Sequence, residues 1–425
     1  MGNFAIQNMI EYVYTLNALQ EIMKIFSLNK NIVALGANSF FTDFSTEMIL
    51  PLLPIFLERF LHATKSEIGL IEGTAEFGVA MLIALSGFYS DRLGRRKGIV
   101  VLGYGLSNLI KPLAFFAQSA TMIAVIRIGD RLSKGVRVAP RDALISASTP
   151  KEISGYVFGF HKMMDGAGAL AGSLTAFGVL WFWGESESSF RTVFAISLIP
   201  GLVSMAILIF LVTDAPFTPA PAKRFRPEAL PSPFYWLVAF QTVFSLFAMN
   251  YSFMILKAGD NGLSLAMIPL AYALYNLTQS FFAIPIGKLA DRFGKPALLS
   301  FVYLAFGLGA LAMASDSVWG AWLGFAIYGF FAGGFNALAK AIISDTAPSD
   351  LKATAYGVYY TSVGFATLAS LFMAGWLWDH FGSTTPFWIA GSAASLLAVV
   401  LYASRKRFLL SSCSDQRNVT PSYRS

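Results

Sequence analysis

The stretch Gly87-Phe-Tyr-Ser-Asp91-Arg92-Leu-Gly94-Arg95 has a close copy 200 residues later, Gly287-Lys-Leu-Ala-Asp291-Arg292-Phe-Gly294-Lys295. In both copies a short polar turn joins two long apolar segments. A second match supports the first, because 143–150 (ALISASTP) recurs at 341–348 (AIISDTAP), an offset of 198. Two matches at nearly one offset predict a chain that is built from two copies of one multi-helix unit.

The composition places these units in a membrane. Of the 425 residues, 56% are hydrophobic and 13% are charged, whereas ordinary globular domains contain roughly 25% charged residues. The mean hydropathy is +0.60. These values exclude a soluble globular protein and an intrinsically disordered one. A spanning helix needs about 20 apolar residues, so the chain is long enough for about twelve.

Twelve apolar segments divide the chain into five regions. Residues 1–32 form a cytoplasmic lead-in with no cleavable signal peptide, and 33–213 contain the first six helices. Residues 214–233 form a basic, Pro-rich linker, 234–404 contain the second six helices, and 405–425 form a polar tail. The predicted helices lie at roughly 33–57, 66–88, 99–117, 121–147, 155–182, 191–213, 234–257, 264–288, 297–314, 318–344, 353–378 and 385–404.

The positions of lysine and arginine predict the orientation in the membrane. With both termini inside, the outside segments hold four of the 31 basic residues: Arg59, Lys65, Arg191 and Lys257. Nineteen basic residues fall in the inside segments. This asymmetry follows the positive-inside rule and also explains the net charge of +7 without nucleic acid. We expect a multi-pass protein of a bacterial inner membrane with both termini in the cytoplasm.

The fourth predicted helix carries an unusual set of charges. At about 100° per residue, they share one arc of about 140°: Arg127, Asp130, Arg131, Lys134, Arg137, Arg141 and Asp142. Because charges in hydrocarbon cost several kcal/mol each, the arc is expected to face the protein interior or a wet cavity. The four central cations, Arg127, Arg131, Lys134 and Arg137, either pair with acids of other helices or contact a substrate.

Acids that suit such pairing lie four residues apart on other helices. Asp43 and Glu47 share a face of the first helix, and His161 and Asp165 share a face of the fifth. On the second helix Glu72 and Glu76 do the same, and we expect Glu72 to be structural. In hydrocarbon a carboxyl group favours its neutral form unless a cation is near. Asp43, Glu47 and Asp165 are therefore candidates for coupling proton movement to substrate movement.

The second half is almost uncharged inside its helices. Asn276 shares a face with Tyr272, and Asn336 shares a face with Lys340. A polar face that meets the cationic arc across a cavity favours a small polar or anionic substrate, such as an organic acid or a metal–siderophore complex. The alternative is that these side chains are hydrogen-bonding contacts between helices.

The sequence resembles the major facilitator superfamily. Gly87-xxx-Asp91-Arg92-x-Gly94-Arg95-Arg96 is similar to its loop signature, Arg131-xxx-Gly135 to its helix 4 arginine motif, and Pro51-Leu-Leu-Pro54 to its helix-end prolines. The resemblance implies an all-α membrane protein with twelve transmembrane helices, arranged as two six-helix bundles related by pseudo-two-fold symmetry. It further implies secondary active transport by alternating access.

The loop and its copy suggest a conformational latch. A carboxylate at a helix end accepts charge-assisted hydrogen bonds from nearby cations and opposes a helix N-terminus. The predicted latch residues are Gly87, Asp91, Arg92, Gly94, Arg95, Asp291 and Arg292. The alternative is a plain basic loop that only sets topology.

Two other functions are weighed against a proton-coupled transporter of small solutes. A proton-driven multidrug exporter would be expected to carry a Gly-Pro pair in helix 5, and the stretch from Asp165 to Ser173 has none. A transporter-like sensor would need a signalling domain, for which 405–425 is too short. The chain has no phosphate-binding glycine loop and no metal-ligand spacing, so we expect neither an enzyme nor a cofactor or metal. The expected partners are a small molecule, protons and lipid, with the protein a monomer and no nucleic acid bound.

Overall fold

Long helices joined by short turns make up the computed structural model, which describes residues 29–93, 96–150, 153–214, 227–348 and 351–415. Twelve helical segments, α1–α12, are found in these residues, as the sequence predicts. They are α1 Lys30–Arg59, α2 Lys65–Leu93, α3 Arg96–Phe116, α4 Ala120–Ala147, α5 Ser154–Trp183, α6 Glu187–Phe210, α7 Ser232–Ser245 with Tyr251–Asp260, α8 Met267–Phe293, α9 Lys295–Met313, α10 Val318–Thr346, α11 Lys352–Phe381 and α12 Thr385–Asp415.

Proline and asparagine cause the breaks inside these segments. α1 consists of Lys30–Ile49 and Leu53–Arg59, and Pro51 falls between the two pieces, where it supplies no N–H for a helical hydrogen bond. α7 restarts at Asn250, whose side chain accepts from the backbone N–H of Ser252. Such a cap satisfies a donor that the helix start would leave free.

Eight of the twelve segments are long and apolar enough to cross a membrane by length and composition alone: α1, α3, α5, α6, α9, α10, α11 and α12. The sequence or shape of the other four segments explains why they do not meet this criterion of length and apolar composition. α2 and α4 carry buried charges, α7 is divided into two short pieces, and α8 contains Asn276 and Gln279. Several of these polar side chains are buried inside the protein, where they avoid the cost of a polar group in lipid: Glu72, Arg127, Asp130, Arg131, Arg137 and Asn276.

The helices form two bundles with the same packing plan. In the first half α1 packs on α5 and α6, and α4 packs on α2 and α3. In the second half α10 packs on α8 and α9, which are the counterparts of the partners of α4. Between the halves, α2 packs on α11 and α5 packs on α8. These two contacts exchange when six is added to each helix number, as pseudo-two-fold symmetry requires.

Glycines in α5 allow it to approach α1 closely. A Cβ on Gly168 would overlap the carbonyl oxygen of Phe40, and one on Gly172 would lie 2.5 Å from that of Phe44. Small residues allow this kind of backbone approach between membrane helices. The stretch that lacks the Gly-Pro pair therefore serves packing within the first bundle.

The ends of the helices lie on two opposite faces, because consecutive helices alternate in direction. We call the face with the start of α1 and the end of α12 the terminus face, and the other the distal face. The predicted tail differs from the structure, since helix α12 continues past Arg405 to Asp415. Residues 1–28, 215–226 and 416–425, which hold most of the predicted lead-in and linker and the end of the tail, lie outside the described residues.

The two halves are closely joined at the distal face by what we call the distal clamp: Lys65, Ser66, Gly375 and Asp379. The backbone N–H groups of Lys65 and Ser66 donate to the Asp379 carboxylate at 3.0 and 2.8 Å, and the Ser66 hydroxyl donates at 2.6 Å. A Cβ on Gly375 would overlap the carbonyl oxygen of Lys65. The clamp therefore places a carboxylate of α11 on the N-terminus of α2, where the helix dipole favours it.

A second contact between the halves joins α5 to α8. On the distal face the backbone N–H of Ala266 donates to Glu185 Oε1 at 2.8 Å, and near the middle of the two helices a Cβ on Gly166 would lie 2.7 Å from the Ser280 hydroxyl. Nearer the terminus face, Gly155, Gly159 and Gly287 have nothing within 4 Å of that position. The contacts that we find between α5 and α8 therefore lie in the distal and middle parts of the two helices.

Candidate functional site

The charged arc of α4 is largely buried, as its spacing predicts. Arg127 is 2% exposed, Asp130 5%, Arg131 9% and Arg137 5%. Lys134, in contrast, is exposed. Since an uncompensated charge in a protein interior is costly, the partners of these cations determine what the arc can do.

Arg127 is held by a buried network. Its Nε and Nη2 donate to the two oxygens of Glu72 at 2.8 and 2.9 Å, and it also contacts Asp130 and the hydroxyl of Tyr251. The Asn250 amide donates to the same Glu72 carboxylate at 3.3 Å. This bidentate pair ties α2 and α4 to α7 of the other half. The geometry supports the structural role expected of Glu72.

A second pair lies one helical turn further along the same two helices. The Arg131 guanidinium contacts the carboxylate of Glu76, and the two side chains are 11% and 26% exposed. Arg131 Nε is buried and has no hydrogen-bond partner among the described residues. Glu72–Arg127 and Glu76–Arg131 are therefore two successive ion pairs between α2 and α4. The Glu76–Arg131 pair is the more accessible to solvent.

The cations at the terminus end of α4 have aromatic and acidic neighbours. The Arg137 guanidinium lies 4.0 Å from the centre of the Tyr104 ring, a favourable cation–π contact. Arg141 donates through Nε to Asp142 at 2.9 Å. Both side chains are half-buried at the terminus end of α4.

The carboxyl groups of α1 lie beside the arc and beside the second half. Asp43 and Glu47 are both near Lys134, and Glu47 is also near Tyr272 and Asn276 of α8. Glu47 Oε2 and Asn276 Nδ2 are buried without hydrogen-bond partners among the described residues. The predicted acids and one predicted polar residue of the second half thus meet at the interface between the bundles.

His161 and Asp165 form a third charged group on α5. His161 Nδ1 lies 3.4 Å from Asp165 Oδ1, and the Ser39 hydroxyl donates to the same carboxylate. Asp165 also lies near Asp43. The candidates Asp165, Asp43 and Glu47 therefore occupy neighbouring positions along one side of the first bundle.

A cavity of about 300 Å³ lies between α2 and the second bundle. Its wall is formed mainly by rings, which we call the aromatic cage: Phe244, Tyr275, Tyr328, Phe331, Phe335, Tyr359 and Tyr360. Asn250, Gln279, Ser245 and Thr367 add polar atoms, and Glu76 is the one charged residue among the described residues of the wall. Ligand pockets are often of this kind, mostly apolar with a few polar groups.

The cavity brings together few of the residues that the sequence selected. Of the substrate or coupling candidates, Glu76 lines it, while the cations of α4 lie outside its wall. Lys340 is exposed and lies near Asp142. Asn336 lies in α10, but its side chain is outside the described part of the structure.

The predicted latch is only partly within the described residues. Gly87, Asp91 and Arg92 fall in the last turns of α2, but their side chains are not described, and Gly94 and Arg95 lie outside the described ranges. In the second copy Asp291 and Arg292 are exposed. The contact to α10 is made instead by Lys295, whose ammonium group meets the carboxylate of Asp345.

The aromatic cage was missed by the sequence analysis. One signal for it is present in α11, where Tyr356, Tyr359 and Tyr360 follow one another at helical spacing in a segment otherwise suited to lipid. A hydroxyl group has no partner in lipid, so tyrosines in mid-helix indicate an interior or wet environment. Phe331 and Phe335 carry no such signal, because lipid-facing phenylalanine looks the same in a sequence.

Comparison with models of known protein families shows which family the chain matches. The model of the Major Facilitator Superfamily matches residues 35–257 and again residues 235–418. The chain belongs to the major facilitator superfamily. A transporter of Methanocaldococcus jannaschii that is described as MFS-type is 34% identical over 384 residues, covering 88% of this superfamily member and 94% of the relative. YajR, an inner membrane transport protein of Escherichia coli, is 32% identical over 161 residues, which are 36% of this chain and 35% of the relative.

Solved structures agree on the fold of this superfamily member. A POT family transporter in complex with 5-aminolevulinic acid has a TM-score of 0.75 at 14% identity, covering 90% of this chain and 99% of that one. At this identity the likeness extends to the fold alone. The protein is therefore a multi-pass membrane transporter of the superfamily, with twelve helices in two six-helix bundles.

Proposed function

We propose that the protein is a secondary active transporter that moves a small organic solute by alternating access, coupled to protons through Asp43 and Glu47. The observation that carries the proposal is the juxtaposition of two features. The halves are joined by hydrogen bonds at the distal face, while Gly155, Gly159 and Gly287 nearer the terminus face have nothing within 4 Å of an added Cβ. Asp43 and Glu47 both lie near Lys134, and Glu47 also lies near α8 of the second half.

The closed distal face and the open gap support alternating access. The hydrogen bonds that we find between the halves begin at Lys65 and Asp379 and reach as far as Met81 and Thr361. Beyond this level the glycines of α5 and α8 face open space. If the termini are cytoplasmic, as the basic residues predict, this is the inward-open state, and the distal clamp must break to open the other side.

The position of Asp43 and Glu47 supports proton coupling. Each carboxyl group has Lys134 as a nearby cation, and an unpaired carboxyl in a buried site is favoured in its neutral form. A change in the distance to Lys134, produced when the halves move, would change which form is favoured. Proton binding and release would then follow the conformational cycle.

The geometry of the arc weakens the argument for an anionic substrate. That argument depended on five cations along α4, and the structure pairs Arg127, Arg131 and Arg141 with carboxylates and places Arg137 on a ring. The fifth cation, Lys134, is exposed and has Asp43 and Glu47 nearby, so an organic acid or a siderophore complex would meet one accessible cation there instead of five. The aromatic cage instead favours the second candidate, a proton-driven exporter of amphipathic compounds.

Transport in proteoliposomes tests the coupling sites. A ligand is first found by a thermal-shift screen, in which binding stabilises the fold, and its accumulation under an imposed pH gradient is then measured. We expect Asp43→Asn and Glu47→Gln to lose gradient-driven accumulation but to keep exchange of labelled for unlabelled ligand.

Glu187→Gln is the matched control, because Glu187 pairs with Arg191 at the exposed start of α6 and should keep both activities. If both neutralised α1 variants still concentrate the ligand under the gradient, Asp43 and Glu47 are not the coupling site. A joint fall of both activities, together with a lower yield of protein, would indicate a structural role instead.

A further inference from the structure

The one charged side chain among the described residues that line the cavity beside α2 is acidic. Glu76 contributes a carboxylate, and the described residues of the wall include no lysine or arginine. Much of the rest of the wall is aromatic, and the face of an aromatic ring carries the negative part of its quadrupole. The described lining therefore offers a positive ligand a carboxylate and rings, and it offers an anion no charge partner, because Arg131, which pairs with Glu76, lies outside the wall.

The rings form a continuous surface rather than isolated contacts. The centroids of Phe331 and Phe335 are 5.1 Å apart, those of Tyr328 and Phe331 5.5 Å, and those of Tyr275 and Tyr328 5.4 Å. The hydroxyl of Tyr328 donates to the carbonyl of Met249 at 3.2 Å, which fixes the ring. A fixed cluster of rings suits the apolar and aromatic body of a ligand, because it is already ordered before binding.

Glu76 is placed to contribute the charge. Its side chain is 26% exposed, whereas that of its partner Arg131 is 11% exposed and is not part of the cavity wall. Arg131 compensates the carboxylate in the empty cavity. A bound cation would compete with Arg131 for Glu76, while a bound anion would face the carboxylate and the rings.

Aromatic faces and a carboxylate together recognise one chemical class. Quaternary and other organic cations are attracted to aromatic faces, more strongly when water is excluded. We propose that the cavity binds an organic cation with an apolar, ring-containing body, with Glu76 as the charge partner and the rings of Tyr275, Tyr328 and Tyr360 around it. This inference rests on the proposed transport function, and it names the substrate class.

Equilibrium binding of three probes tests the proposal. Benzyltrimethylammonium carries both a ring and a positive charge, benzylsulfonate has a ring and a negative charge, and tetramethylammonium has a charge without a ring. Each is titrated by calorimetry into the purified full-length protein in detergent. We expect benzyltrimethylammonium to bind at least tenfold more tightly than either of the others.

Two variants locate the binding. Glu76→Gln should weaken benzyltrimethylammonium at least tenfold, and Tyr360→Leu should weaken it while leaving the Glu76–Arg131 pair in place. Glu187→Gln, on the exposed start of α6, should bind like the unaltered protein. Size-exclusion chromatography and the melting temperature show whether Glu76→Gln remains folded, and Tyr360→Leu decides the result if it does not.

Several outcomes would overturn the proposal. They are benzylsulfonate binding as tightly as the cation, cation binding that neither variant weakens, and no cation binding up to millimolar concentration. Because binding is measured without a gradient or a membrane, it fails or succeeds separately from proton coupling. The Asp43→Asn and Glu47→Gln experiment can therefore contradict the proposed function while the cavity still binds the cation.

Discussion

At the scale of single residues, the ion pairs along α4 differ in how deeply the acid is buried. Removing the cation would leave a buried carboxylate at Glu72 but a partly exposed one at Asp142. Glu72 is 2% exposed and depends on Arg127 for both of its oxygens. Asp142, in contrast, has a half-buried carboxylate next to Arg141 in the chain. The cost of removing a cation is set mainly by the burial of the acid that is left behind.

Arg127→Ala should therefore destabilise the protein more than Arg141→Ala. A buried acid without its partner costs about 3–5 kcal/mol, whereas partly exposed pairs contribute about 0–1 kcal/mol. The melting temperatures of the purified variants in detergent measure the difference. The double variant Arg127→Ala/Glu72→Gln should recover part of the loss, because the unpaired charge is removed. Equal melting temperatures for the two single variants would mean that the Arg127 end of the arc is solvated.

The site residues that could be predicted from the sequence are charged residues inside membrane helices, because a charge is costly in lipid and therefore indicates a buried face. Seven charges on one arc of a helix indicate a buried face, and the acids four apart on α1 and α2 indicate their partners. The sequence does not say which acid meets which cation, since that depends on helix packing at the level of a single turn. Phe244, Phe331 and Phe335 were missed because phenylalanine is equally at home in lipid and in a cavity.

At the scale of helices, the N-terminus of α2 is stabilised by a residue of the other half. Asp379 accepts the backbone N–H groups of Lys65 and Ser66, two of the four donors that a helix start leaves free. Glu185 on α5's side of the interface accepts from Ala266 at the start of α8 in the same way. The proposed transport cycle therefore requires these capping hydrogen bonds to break when the distal face opens and to form again when it closes.

Asp379→Ala should loosen the first turn of α2. Hydrogen bonds to a charged group contribute about 1.5–3 kcal/mol, so amide hydrogen exchange in the peptide that contains Lys65 and Ser66 should become about tenfold faster or more. Mass spectrometry measures this directly. Glu187→Ala, an acid at the start of α6 on the same face, should leave the exchange of that peptide unchanged. Exchange that does not respond to Asp379→Ala would show that the cap contributes nothing to closure.

The helices themselves were predicted well because spanning segments need length and apolar composition, which are local properties. All twelve were found, and the prolines at positions 51 and 54 mark the break in α1. The predicted last segment, 385–404, matches the apolar span that ends at Arg405, whereas the helix itself continues to Asp415. A membrane segment ends where apolar composition ends, but a helix continues into water as long as its residues favour it.

At the scale of the whole molecule, the two sequence repeats correspond to the two symmetry-related bundles of the structure. The contacts of α2 with α11 and of α5 with α8 are equivalent under the six-helix shift, yet the two halves carry different chemistry. The charged groups Asp43, Arg131 and Asp165 belong to the first half, and the aromatic cage belongs to the second. In the proposed cycle the symmetric contacts are the surfaces on which the halves move, the charged groups of the first half carry the protons, and the rings of the second half bind the solute.

Alternating access requires that one face closes when the other opens. A substitution in the distal clamp could therefore shift the protein from the distal-closed to the distal-open state. A Cβ on Gly375 would overlap the carbonyl oxygen of Lys65, whereas one on Gly178 would have nothing within 4 Å. Because the overlapped atom belongs to the backbone, it cannot move aside without moving α2. Gly375→Ala should therefore shift the protein toward a distal-open state, and Gly178→Ala should not.

Thiol labelling measures the shift at both faces. Cys413 is the one cysteine of the chain, so Cys413→Ser gives a background for two reporters. One is Gly159→Cys, at the open gap near the terminus face, and the other is Leu371→Cys, which lies fully buried against Gly69 in the distal contact. With a membrane-impermeant maleimide and the protein in detergent, Gly159→Cys should react fast and Leu371→Cys slowly. Adding Gly375→Ala should reverse the order. A rise at both reporters would indicate general loosening of the fold, and a rise at Leu371→Cys alone would mean that the two faces open independently, which would contradict alternating access.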